Sequence, residues 1–317
     1  MLREVVVAEY CFCISLCVTT LALRYLIHRH RSVAAMWKTC PALCALLILV
    51  IPMAFINMSI PIVWNAAILG ILDNVPQNAY LLATTVVFLI AIDYVYCSLT
   101  IAIFLQRIFY LLFPLRDIRK FNFVVFSFLS VYTVGCATVT SVLILTNISP
   151  NEQPLPPGCF SFNCMTTKNH SFTVFPLTAN ILYSGLITTV GTFMFAVIYK
   201  HRKQRQSATS VKCIIVAVQL IMRLEAAKKR LHDTVSTFTL YVFYIRLVFV
   251  TIPCASDIAL SHAAGIHLGK YIGPYGALAG ALDITATTAL YYRMFRPPKM
   301  IVSSVRSRTD LETKNSD

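Results

Sequence analysis

A chain of 317 residues that is 57% hydrophobic and only 13% charged departs from soluble domains, in which about a quarter of the residues are charged. Much of it therefore requires a medium other than water, and its length fits seven membrane spans of roughly 20–25 residues with short loops as well as it fits one or two soluble domains. The net charge of +14 would suit nucleic acid if the basic residues ran together, but they sit in clusters between long uncharged runs, the pattern that sets membrane topology, so no nucleic-acid partner is expected.

Taken in chain order, the apolar runs predict an all-α membrane protein, a seven-transmembrane helix bundle. The run 5–27 is too long for a signal-peptide core and is interrupted by Glu9, so it reads as a first span and not as a cleaved leader. The second span, 43–63, contains Pro52 and Pro61, which a membrane helix tolerates where neighbours satisfy the freed carbonyls. The third, 79–105, carries one acid, Asp93; the fourth, 123–148, carries no charge. A polar loop, 149–171, leads to the fifth span, 172–199, and a basic segment, 200–233, to the sixth, 234–256, which Arg246 interrupts. The seventh, 271–292, holds Asp283, and 293–317 form a polar tail. The apolar stretch Cys213–Met222 lies inside the basic segment. As a helix it would reach about 15 Å, half of the hydrocarbon core. It reads as an interfacial helix or as a translated intron, since its removal leaves one continuous basic amphipathic segment; a transcript read across it separates the two.

Charge placement orients the bundle. Of the 27 Lys and Arg, Arg3, Lys168 and Lys270 fall on the N-terminal side, Arg246 falls inside the membrane, and all the others fall on the opposite side. The positive-inside rule then puts the N-terminus outside and the C-terminus in the cytoplasm. The sequon Asn169-His170-Ser171 lies in a loop expected outside, making Asn169 a candidate glycosylation site. The basic cytoplasmic face attracts anionic membrane lipids, by about 1 kcal/mol per residue.

Asp93 and Arg246 are the most informative single residues, because mid-membrane charges are costly and face the bundle interior. Asp93 lies about 21 Å outward of Arg107, and Arg246 about 20 Å outward of Asp233, at 1.5 Å per residue. The equal depth predicts an Asp93–Arg246 ion pair, with Asp283 a rival partner about 15 Å from its own cytoplasmic end. Three roles stay open for the group: a static bolt, a latch at the base of a ligand pocket, or an anchor for an anionic ligand. No HExxH, GxSxG or P-loop occurs, and the last span offers no lysine for a retinal Schiff base. Neither an enzyme nor a cofactor is expected.

The third span ends in Gln106-Arg107-Ile108 and then Phe113-Pro114-Leu115-Arg116. This resembles the cytoplasmic end of the third helix in rhodopsin-like G-protein-coupled receptors, where an acid-Arg-aromatic triplet precedes a proline at this spacing. Gln106 replaces the acid and Ile108 the aromatic, so the usual acid–arginine lock is absent. A closer resemblance is to nematode serpentine chemoreceptors of the Srbc-like class. It rests on LQRIFYLLFPLR, on Gly158–Cys164 (GCFSFNC) and on Phe243–Pro253 (FYIRLVFVTIP), and covers the chain apart from Cys213–Met222. The resemblance implies a receptor for an environmental small-molecule ligand in the plasma membrane of a sensory-neuron cilium, signalling to a heterotrimeric G protein. It also implies that Arg107, Pro114 and Arg116 face that partner. Rhodopsin-like receptors tie the third helix to the second outer loop by a disulfide, but 64–87 contains no cysteine. Cys159 and Cys164, in the loop on the oxidising side, are instead expected to pair with each other. The alternative is a seven-helix transporter or a ligand-gated channel subunit; the insect odorant channels of that shape have the opposite orientation.

Overall fold

The computed structural model describes residues 3–30, 37, 40–73, 75–113, 118–146, 170–208, 219–253, 255–256, 259–260 and 275–295. Among them every regular element is helical, and seven long helices follow one another: α1 Arg3–His30, α2 Pro41–Leu69, α3 Pro76–Leu112, α4 Ile118–Thr146, α5 His170–Ala208, α6 Gln219–Arg246 and α7 Tyr275–Phe295. A π-helical turn, Leu247–Thr251, continues α6. Six of the seven are long and apolar enough to cross a membrane. The exception is α7, whose Asp283 and run of threonines lower its mean hydropathy.

Most of the helices outrun the spans read from sequence at one end or both, because they carry polar turns beyond the apolar runs. The largest extension is at the start of α6: it begins at Gln219, so the end of the Cys213–Met222 stretch is the first turn of this helix. The remainder of that stretch lies outside the described residues.

Local chemistry sets the ends of α2. Pro41 opens it at a position where a missing N–H costs nothing. Gly70 closes it with φ 78, a left-handed value that glycine adopts without a Cβ penalty. Ile71 N–H then bonds to Ala66 O at 2.9 Å and Gly70 N–H to Ala67 O at 3.2 Å, the paired bonds of a Schellman cap. Inside α2, Pro61 cannot donate to the carbonyl of Asn57, and the Cys13 thiol of α1 donates to that oxygen instead at 3.8 Å.

The packing is a closed ring with α3 at its centre. α1 packs on α2 and α7; α3 packs on α2, α4 and α5; α6 and its π turn lie between α5 and α7. The polarity is inverted relative to a soluble protein. Arg246, Asp283, Thr100, Thr239, Thr287 and Thr288 are buried, while Phe123, Phe128 and Val131 of α4 are 70–75% exposed. An apolar surface of that kind is stable only against lipid, and the chain is a multi-pass membrane protein.

Hydroxyl contacts tie α3, α4 and α5 at mid-depth. Ser98 Oγ lies 2.6 Å from Thr133 Oγ1 and donates to Tyr183 Oη at 3.2 Å, while Thr133 Oγ1 also lies 3.2 Å from Tyr183 Oη. Tyr94 stacks on the Tyr183 ring with centroids 5.2 Å apart. Tyr183→Phe keeps the ring and removes the hydroxyl, while Ser98 and Thr133 still satisfy one another. A loss of about 1 kcal/mol is expected, read as a small drop in thermal midpoint of the purified protein. A drop as large as that of Tyr183→Ala would show that the hydroxyl, not the ring, holds the three helices.

Candidate functional site: an ion triad between three helices

The helical period brings three charges together. On α3, Asp93 shares a face with Val86, Cys97, Thr100 and Phe104, all buried, so it points into the bundle. Arg246 is the last residue of α6 before the π turn, and Asp283 sits on the inner face of α7 with Ala281, Ile284 and Thr287. Arg246 Nε lies 2.9 Å from Asp283 Oδ2, and Arg246 Nη1 lies 4.0 Å from Asp93 Oδ1. The structure thus brings together the three residues singled out by depth, but the nearer partner is Asp283, not Asp93.

Secondary contacts fix the guanidinium. Its carbon stands 4.0 Å from the centroid of the Tyr96 ring, a cation–π arrangement. Nη1 donates to Cys97 Sγ at 3.6 Å, and the Cys97 thiol reaches Asp93 Oδ2 at 3.9 Å. Thr287 Oγ1 donates to Asp283 Oδ1 at 3.4 Å. Nε and Nη2 make no aligned hydrogen bond, so the short Nε–Asp283 approach is an ionic contact without the linear N–H···O geometry of a full bond.

The two carboxylates are not equivalent. Asp283 is 1% exposed and Arg246 is sealed, whereas Asp93 keeps 33% of its side chain uncovered. Asp93 lies on the face of α3 that carries the buried Cys97, Thr100 and Phe104, yet a third of its side chain is uncovered. Leu89, Ile90, Ala91 and Ile92, the turn before it, are likewise only partly covered. Two acids therefore share one base, one held tightly and one reachable.

At the basic end of the bundle, Gln106 is buried and couples α3 to its neighbours. Cys40 Sγ donates to Gln106 Oε1 at 3.2 Å, and Gln106 Nε2 donates to Asn122 Oδ1 at 3.3 Å. Arg107, expected to face a partner, is 4% exposed, with the Tyr110 ring 6.0 Å from its guanidinium carbon. The helix continues past it to Leu112, and Cys40 at the start of α2 lies near its charge. Arg24, counted above among the cytoplasmic loop charges, is also turned inward: it is 5% exposed and its Nε donates to Leu47 O at 2.9 Å. The signal for this was its place on the Tyr10, Cys13, Cys17, Thr20 face of α1.

No protein-family model, curated protein or solved structure matches the chain. Pro114, Arg116, Cys159, Cys164 and Asn169 lie outside the described residues. Among the described residues no group of three or more His, Cys, Asp and Glu is arranged to hold a metal ion.

Proposed function

We propose that the chain is a chemosensory G-protein-coupled receptor of seven spans, with its N-terminus outside and its C-terminus cytoplasmic. In this reading it detects an environmental small molecule and signals to a heterotrimeric G protein from the plasma membrane of a sensory cilium. One observation supports it above the others: Asp93 keeps a third of its side chain uncovered while the arginine that it faces is sealed. A ligand reaching Asp93 would compete for its loose 4.0 Å contact with Arg246 and so bias how α3 sits against α6, which is what coupling a pocket to the far end of a bundle requires. The π turn directly beyond Arg246 supplies a compliant place in α6, where such turns accompany functional sites.

The test is a screen of small metabolites on cells expressing the chain, read by G-protein activation and by membrane current. Ligand-evoked activation without intrinsic current supports a receptor, and current that needs no G protein supports the channel reading. For any active ligand, Asp93→Asn is expected to keep surface expression and to shift the response at least tenfold in concentration. An unchanged response would remove Asp93 from the ligand's path.

A further inference from the structure

Among the described residues, two arginines at the basic end of the bundle are buried without an acid. Arg24 and Arg107 are 5% and 4% exposed, and among the described residues neither forms an ion pair. Nη1 of Arg24 and Nε of Arg107 are enclosed with no hydrogen-bond partner. Arginine cannot escape burial by releasing its proton, and an uncompensated charge inside a membrane protein is among the costliest features a fold can carry. Such a pair calls for an anion.

Both side chains converge on one feature. Arg24 Nε donates to Leu47 O of α2, with Tyr291 of α7 and Cys44 of α2 near its charge, while Arg107 follows Gln106, which bonds to Cys40 at the start of α2, and has Cys40 and Tyr110 near its charge. Cys40, Cys44 and Leu47 form successive turns of one face at the start of α2, which α1 reaches through Arg24 and α3 through Gln106, the neighbour of Arg107. The start of α2 is itself electropositive: it heads a 29-residue helix, Cys40 at its N-cap provides no side-chain cap, and Pro41 follows. Leu47 and Arg107 lie about 8–9 Å inside the ends of α2 and α3, a depth that phosphate headgroups border.

We propose that this end of α2 is a binding site for a phosphate group, seated between Arg24 and Arg107. A phosphate fits the arrangement better than a carboxylate does. Its charge approaches the two positive charges it would offset, and its three or four oxygens can serve two guanidinium forks and the helix N-terminus together, where a carboxylate has only two. The source of the phosphate is either a lipid headgroup or a soluble phosphate, and the two are separable.

The purified full chain is compared in nanodiscs of phosphatidylcholine with and without phosphatidylinositol 4,5-bisphosphate, and in detergent with sodium phosphate against sodium chloride of equal ionic strength. A saturating phosphate source is expected to raise the thermal midpoint by about 4 °C. A shift from the lipid alone identifies a headgroup site, and a shift from inorganic phosphate as well identifies a site for the free anion. Arg24→Gln and Arg107→Gln should each lose the shift, Arg24→Lys and Arg107→Lys should keep part of it, and Lys120→Gln, an exposed charge on α4, should keep all of it. A second readout covers variants that fold poorly: in phosphatidylcholine alone Arg24→Met should match or exceed the wild-type midpoint, because it removes an unpaired charge. The proposal is overturned if neither phosphate source shifts the midpoint, if both Gln variants keep the full shift, or if Arg24→Met is destabilised without phosphate. It is overturned in favour of a protein partner if only a carboxylate-ended peptide stabilises the chain. None of these outcomes depends on the receptor reading, since no signalling is measured.

Discussion

Arg246→Met removes most of the folded protein from the membrane. The variant keeps the length and apolar stem of the side chain but leaves Asp283, 1% exposed, and Asp93 facing each other with no base between them. Removing one partner of a buried ion pair costs about 3–5 kcal/mol, and the lost stacking on Tyr96 adds to this. That is a large share of the roughly 5–15 kcal/mol by which folded domains exceed their unfolded states. The measurement is the monodisperse yield and thermal midpoint of detergent-solubilised protein. The acids should differ in rank: Asp283→Asn leaves Arg246 its looser partner and is expected to be clearly destabilised, whereas Asp93→Asn is expected within about 1 kcal/mol of wild type. Replacing all three charges by apolar residues of similar volume should restore much of the yield while abolishing any response that depends on the triad. If Arg246→Met is as stable as the wild type, the three charges do not hold the bundle together.

The second large effect comes from a residue with no charge. Gly191 of α5 is buried against α6, and a methyl group added there would fall onto the Phe243 ring. That ring cannot simply swing aside, because it packs edge-on against Phe104 of α3 with centroids 6.2 Å apart. Overpacking of this kind costs about 1–3 kcal/mol, offset in part by the better helix propensity of alanine. Gly191→Ala is therefore expected to be mildly destabilised, and Gly191→Leu to lose several kcal/mol. Phe243→Leu should rescue Gly191→Ala, since it vacates the contested volume. A double-mutant cycle on thermal midpoints measures this; additivity of the two changes would show that α5 and α6 do not meet there. Because Phe243 lies one turn before Arg246, the same clash should also disturb the triad.

The sequence carried the depth of each charge well and its bearing around the helix axis less well. Fourteen residues from Asp93 to Arg107 and thirteen from Asp233 to Arg246 predict a common level, and both acids do meet Arg246. Depth is one coordinate, however. Which acid comes nearer depends on the rotation of α3, α6 and α7, which no residue spacing within one helix encodes. At α7, Asp283, Thr287 and Thr288 lower the hydropathy of the span read over 271–292, and all three are buried against other helices. Arg24 was misjudged for a related reason. Charge counting treats an arginine near a span's end as a loop residue, while the inward face of α1 decides where its side chain goes. The contact from Gln106 to Cys40 and Asn122 was not legible at all, since it joins three helices through neutral groups at unrelated spacings.

The π turn at Leu247–Thr251 divides α6 into two segments with separate angular bookkeeping. A π turn accommodates one residue more than an α-helical path would, and one residue corresponds to about 100° of rotation. Converting this turn to α-helix with all its residues kept would therefore swing everything beyond it by that angle, while Arg246 and the turns before it kept their heading; deleting one residue within 247–251 would instead let the helix run straight through on its present heading. The part of α6 beyond the turn can acquire a new set of inward side chains in one such conversion, without disturbing the charges before it.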